Sequence, residues 1–148
     1  MTKILFLFLI LFLSSACTRD TTGDVENPDF IDITHETSFS LQTTEEIPYE
    51  IINQSEDTIY FHHLEYFIEE NVDGEWVDLD LITIPSPDLA GPTPLKPEQT
   101  VEYSALLARG SDHTYEAGEY RLRYEGWFGS EEEQSDSFVF VIEFALEE

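Results

Sequence analysis

The chain has 148 residues, of which 32 are acidic and 6 basic, giving a formal net charge of −26. That imbalance opposes nucleic acid and anionic headgroups as partners, and a single cysteine leaves no pair for an internal disulfide. The length suits one domain with a proper core, and the 14% aromatic content separates it from disordered acidic polymers.

Lys3 precedes an unbroken apolar run from Ile4 to Leu13. Crossing a bilayer takes about 20 apolar residues, so the run reads as the core of a secretory signal peptide. Ser14, Ser15 and Ala16 are small enough for a signal peptidase cleft, and Cys17 follows at once. This arrangement resembles the lipobox of bacterial lipoproteins. The resemblance implies a signal peptide over 1–16, cleavage before Cys17, and a diacylglyceryl group on its sulfur. Acylation of the new amine, commonly by palmitate, would follow. Several acyl chains make a firm membrane anchor where one would be marginal. Ordinary secretion with an incidental free cysteine and an uncleaved anchor are the alternatives. Cleavage would remove Lys3 and no acidic residue, leaving a still more negative chain without a free thiol.

Residues 17–29, the lipidated cysteine followed by "TRDTTGDVENPD", are polar and aperiodic and predict a flexible tether. The folded domain is expected over 30–148, beginning with short segments of period-2 alternation, the mark of half-buried strands. "SFSLQT" sets Phe39 and Leu41 on one face, and "YEIIN" aligns Tyr49, Ile51 and Asn53. "TIYF" and "EYFIEE" follow, and Asp73-Gly74 joins the latter to "EWVDLD" as a hairpin turn. Pro85, Pro87, Pro92, Pro94 and Pro97 predict an extended loop across the end of a sandwich. "TVEYSALL" then alternates Val101, Tyr103 and Ala105, and "EYRLRYE" sets Tyr120, Leu122 and Tyr124 against Glu119, Arg121 and Arg123. The last strand places Phe138, Phe140, Ile142 and Phe144 on one face, with Val139 and Val141 apolar on the other. Such a strand is covered on both sides or central. No helical stripe interrupts the series, so the expected fold is all-β, an antiparallel β-sandwich of about seven strands without a disulfide.

Within "YEAGEYRLRY", the order Glu116, Gly118, Tyr120, Leu122 resembles the opening of strand F in immunoglobulin-like domains. There a tyrosine hydroxyl returns to the backbone upstream and pins a corner. The resemblance implies that Gly118 supplies the turn, Tyr120 the tyrosine corner, and Leu122 the place of the usual disulfide cysteine. The stretches "IINQSEDTIYF", "EENVDGEWVDL" and "LKPEQTVEYSALL" precede it in matching order. Over about Phe39 to Tyr124 the chain looks like the bacterial immunoglobulin-like domains of unknown function found on secreted and lipid-anchored proteins. It is similar in outline to small β-sandwich proteinase inhibitors as well.

Chemistry is harder to find. On a strand, His62 and His63 point to opposite faces, and His35 and His113 stand alone, so no metal site is expected. "DGEWVDLD" and "SEEEQSDS" lack the EF-hand spacing. Catalytic and cofactor motifs are missing, so the expectation is a non-enzyme without cofactor or catalytic residues. Trp127 and Phe128, beside Gly126 and Gly129, are a candidate contact surface. The reading is a lipid-anchored protein of the bacterial cell envelope, a non-enzymatic binding or adaptor domain that engages another envelope protein. Thr18 after the cysteine leans it toward the outer membrane where a cell has two. The alternatives are an extracytoplasmic hydrolase inhibitor, acting through Pro85 to Pro97, or a carbohydrate- or calcium-binding module.

Overall fold

A computed structural model describes residues 21–82, 91–107, 113–129 and 135–148. Among them are eleven strands and no helix. In chain order they are β1 (Thr21–Thr22), β2 (Ile31–His35), β3 (Ser38–Ser40), β4 (Glu46–Asn53), β5 (Ile59–Phe61), β6 (Phe67–Val72), β7 (Glu75–Ile82), β8 (Thr93–Leu95), β9 (Thr100–Leu106), β10 (Gly118–Phe128) and β11 (Ser135–Glu147). The count exceeds the expected seven or so because β1, β2 and β8 form where no strand was predicted. The alternation of Ile31 and Ile33 with Asp32 and Thr34 was the available signal for β2.

The strands make two sheets. The larger runs β1-β7-β6-β10-β11-β3, with β5 on β10 and β8 on β5; the smaller runs β2-β4-β9. Their inner faces share one core: Ile47, Tyr49 and Ile51 of β4 meet Phe61, Leu122, Tyr124, Phe140 and Ile142 of the larger sheet. The molecule is therefore a β-sandwich. Tyr124 lies flat on Phe140, centroids 5.0 Å apart, and the Tyr49 hydroxyl donates to that of Tyr124 across the sheets at 3.1 Å. Burial raises the pKa of both tyrosines.

The alternation places these side chains inward. Asn53, last in the β4 row, is wholly buried yet fully used. Its amide donates to Asp57 O at 2.8 Å and Leu95 O at 2.9 Å, while its carbonyl oxygen accepts from Ser55 N and Oγ. It thereby shapes the turn into β5 and ties β4 to β8. The Asp73-Gly74 turn closes the β6–β7 hairpin with both residues left-handed (φ 56° and 89°), a conformation glycine adopts without strain.

Two expectations need correction. The proline-rich segment is not wholly loop, since β8 pairs with β5 and contains Pro94. The proline is tolerated because, among the described residues, β8 has no second neighbour to which an N–H must donate. Pro85 and Pro87 lie outside the described residues. Nor are residues 21–29 a free tether. β1 pairs with β7, Gly23 O accepts from Arg121 at 2.9 Å, and the Asn27 amide both donates to Val141 O (3.0 Å) and accepts from Val141 N (2.7 Å). The segment thus crosses the outer face of the larger sheet and rounds the β11 edge. Phe30 then packs at about 5.1 Å on Phe128 and Phe138, and β2 begins the other sheet.

Candidate binding site at the break between β5 and β6

β10 is the spine of the site. On one side its register pairs Tyr120 to Arg123 with β6 and Gly126 to Phe128 with β5, leaving Tyr124 and Glu125 opposite the turn His62–Tyr66. The break opens a depression of about 210 Å³ lined by His62, Glu65, Phe67, Glu125, Trp127 and Ser137. Trp127 is 6% exposed, stacked on Tyr60 (6.3 Å, 16°) and tilted against His62 (5.4 Å). Beneath the strand, a Cβ on Gly126 would come within 2.5 Å of the Phe138 ring, so only glycine lets β10 lie this close.

Two buried polar atoms beside the depression, Trp127 Nε1 and His62 Nδ1, have no hydrogen-bond partner. A buried unmet donor costs about 1–3 kcal/mol, so a ligand that accepts from the indole would recover that loss. Glu65 and Glu125 are exposed at the rim. Arg123 lies over the Phe67 ring at 4.1 Å and approaches Glu125 Oε1 at 3.3 Å. The chemistry on offer is an aromatic wall, one indole donor, an imidazole and two carboxylates. With the Ser137 hydroxyl, that set suits recognition of a polar group.

A larger hollow of about 570 Å³ on the smaller sheet is lined by Thr34, Pro48, Glu50, Glu102 and Ser104 among others. None of its lining residues carries a buried polar atom without a partner.

The predicted site residues are dispersed. Cys17 lies outside the described residues. Gly118 opens β10, and the Tyr120 hydroxyl donates to Glu116 O at 3.0 Å while accepting from Glu116 N at 3.2 Å. Desolvation raises the Tyr120 pKa, partly offset by that backbone bond. Trp127 and Phe128 do not form one contact patch. Neighbours on a strand face opposite ways, so Trp127 lines the outer depression while Phe128 turns inward to Phe30 and Phe138.

The histidines are likewise apart. His35 meets Glu143 O at 2.7 Å, His63 meets Thr93 Oγ1 at 2.7 Å and stacks on Tyr103, and His113 packs against Tyr115. Burial lowers the His63 pKa, with the His62 charge adding to the effect. Among the described residues no group of three His, Cys, Asp or Glu side chains is placed to hold a metal. "DGEWVDLD" is consumed by the hairpin and β7, and most of "SEEEQSDS" lies outside the described residues.

Sequence reading missed the partnership of His62, Glu65 and Phe67 with Trp127. The one available signal was the loss of alternation at "HHLEY", between two strand-like runs.

Fold and depression together define a class: a two-sheet β-sandwich with a small, acid-rimmed aromatic recess. No protein-family model matches the chain, and no curated protein or solved structure matches it.

Proposed function

We propose that this is a lipid-anchored protein of the bacterial envelope whose immunoglobulin-like sandwich binds an envelope protein partner without catalysis, through the recess beside Trp127. The observation that carries the binding reading is the unmet Trp127 Nε1 within a residue only 6% exposed. The anchor reading is supported by the apolar run and small residues directly before Cys17. The immunoglobulin-like reading is supported by the Tyr120–Glu116 corner at the start of the penultimate strand of a two-sheet sandwich.

The test is co-purification of the tagged protein from its native membranes in mild detergent, alongside two variants. Cys17→Ser should move the protein to the soluble fraction. Glu65→Ala with Glu125→Ala, both at exposed rim positions, should leave it folded and anchored but strip a stoichiometric partner. A partner retained by the rim variant would place binding elsewhere, and unchanged membrane retention of Cys17→Ser would refute lipidation.

A further inference from the structure

We infer that the segment from Thr21 to Phe30 is a docked strap that shortens the lipid leash to three residues, so that the β1–β7 edge is the side of the domain that meets the membrane. The inference rests on the reading of Cys17 as the anchor.

The strap is held at three places. At its start β1 is the outermost strand of the larger sheet, with Thr21 opposite Val77 and Thr22 opposite Trp76. Next, the Arg121 guanidinium, itself 0% exposed, donates to Thr22 Oγ1 at 3.1 Å and Gly23 O at 2.9 Å while lying over Trp76 at 4.4 Å. Finally, Asn27 gives Val141 both halves of a ladder pair, on the stretch of β11 that β3 does not reach. From β1 to β11 is four strand spacings, about 19 Å. The five residue steps from Thr22 to Asn27 span about 17 Å when extended, and the Asn27 side chain supplies the rest of the reach to Val141, so the strap is taut.

Only Thr18, Arg19 and Asp20 then separate Cys17 from β1. Four Cα steps reach at most about 14 Å. Were the strap free, the fourteen steps from Cys17 to Ile31 would reach about 50 Å. Because β1 runs antiparallel to β7, the chain arrives from the Asp78 end of β7, away from the hairpin turn. Charge then sets the stand-off. Asp24 and Glu75 border this edge beside Thr22, Gly23 and Trp76, and their charges repel anionic headgroups. Screening extends about 8 Å at physiological ionic strength and about 30 Å at 0.01 M. The short leash therefore holds acidic groups within range of the surface at low salt and largely beyond it at physiological salt.

Two measurements test this, each able to fail alone. In the soluble Cys17→Ser form, backbone order parameters for residues 22–27 should match the sheet, about 0.85; values below about 0.6 would show a free tether and overturn the inference. In the lipidated protein on vesicles of phosphatidylcholine with one-fifth phosphatidylglycerol, single labels at Glu75→Cys and Glu102→Cys report transfer to a headgroup acceptor. The Glu75 label should lie closer to the bilayer than the Glu102 label. Its distance should also lengthen when salt falls from 0.15 M to 0.01 M. Equal distances, or a nearer Glu102, would overturn the orientation even with an ordered strap. A wild-type protein that carries no lipid would refute the anchor reading and the inference with it, whatever the order parameters.

Discussion

Glu69 offers the sharpest test of how the larger sheet is held. Its side chain is 0% exposed and receives Arg121 Nε at 2.5 Å and Arg123 Nε at 2.8 Å; the two arginines are 0% and 16% exposed. One buried anion thus serves two cations, and among the described residues the charge of Arg121 is further met by the Trp76 face and two strap oxygens. Glu69→Gln keeps the shape and removes the anion, leaving Arg121 buried without a carboxylate partner and Arg123 with only the exposed Glu125. Breaking a buried pair in this way costs about 3–5 kcal/mol. For a domain of this size that corresponds to a fall in Tm of roughly 10–20 °C. Glu125, by contrast, is 64% exposed where it pairs with Arg123, so Glu125→Gln should cost under about 1 kcal/mol. Thermal melts of the two variants beside wild type make the assay. Replacing the pair by apolar groups, as in Glu69→Leu with Arg121→Met, should recover part of the loss, because it removes the desolvated charges together. A Glu69→Gln melt indistinguishable from that of Glu125→Gln would refute the claim that this anion is what neutralises the face under the strap.

Tyr120→Phe removes a hydroxyl that exchanges two hydrogen bonds with Glu116 and keeps the ring packed on Phe144. It should cost about 0.5–1.5 kcal/mol, read as a shifted urea midpoint with unchanged slope, and an unshifted midpoint would remove the corner from the stability of the fold. Alkaline pH should unfold the protein through its buried tyrosines. Tyr49, Tyr120 and Tyr124 hold their protons above the ordinary value of 10.0, chiefly through desolvation. Below about pH 10 both folded and unfolded forms are protonated and stability is constant. Above it the unfolded chain ionises first, and stability falls by up to about 1.4 kcal/mol per pH unit for each such tyrosine. Urea midpoints from pH 8 to 11 should show a plateau and then a fall, shallower in Tyr49→Phe; a flat profile would contradict the burial of these hydroxyls.

Local chemistry determined much of this architecture by itself. Period-2 rows such as Tyr49, Ile51, Asn53 and Tyr120, Leu122, Tyr124 can bury one face only as strands, and they do. Asp73-Gly74 can close a two-residue hairpin because glycine carries no Cβ, and Val139 with Val141 pointed to a strand covered on both sides or central. What covers it was not legible. Alternation correctly put Arg121 opposite the core, yet whether that face meets water depends on a segment 98 residues away. The same holds for the recess, where His62 and Trp127 meet only because β5 stops at Phe61 and β10 continues past the break. Burial of a charge and convergence of a site are properties of which elements become neighbours. The strands and their inward faces follow from side chains a few residues apart, so they are written locally in the chain. The docked strap, the buried Glu69 and the recess each depend on contacts across the whole sandwich, and they arise only when its elements come together.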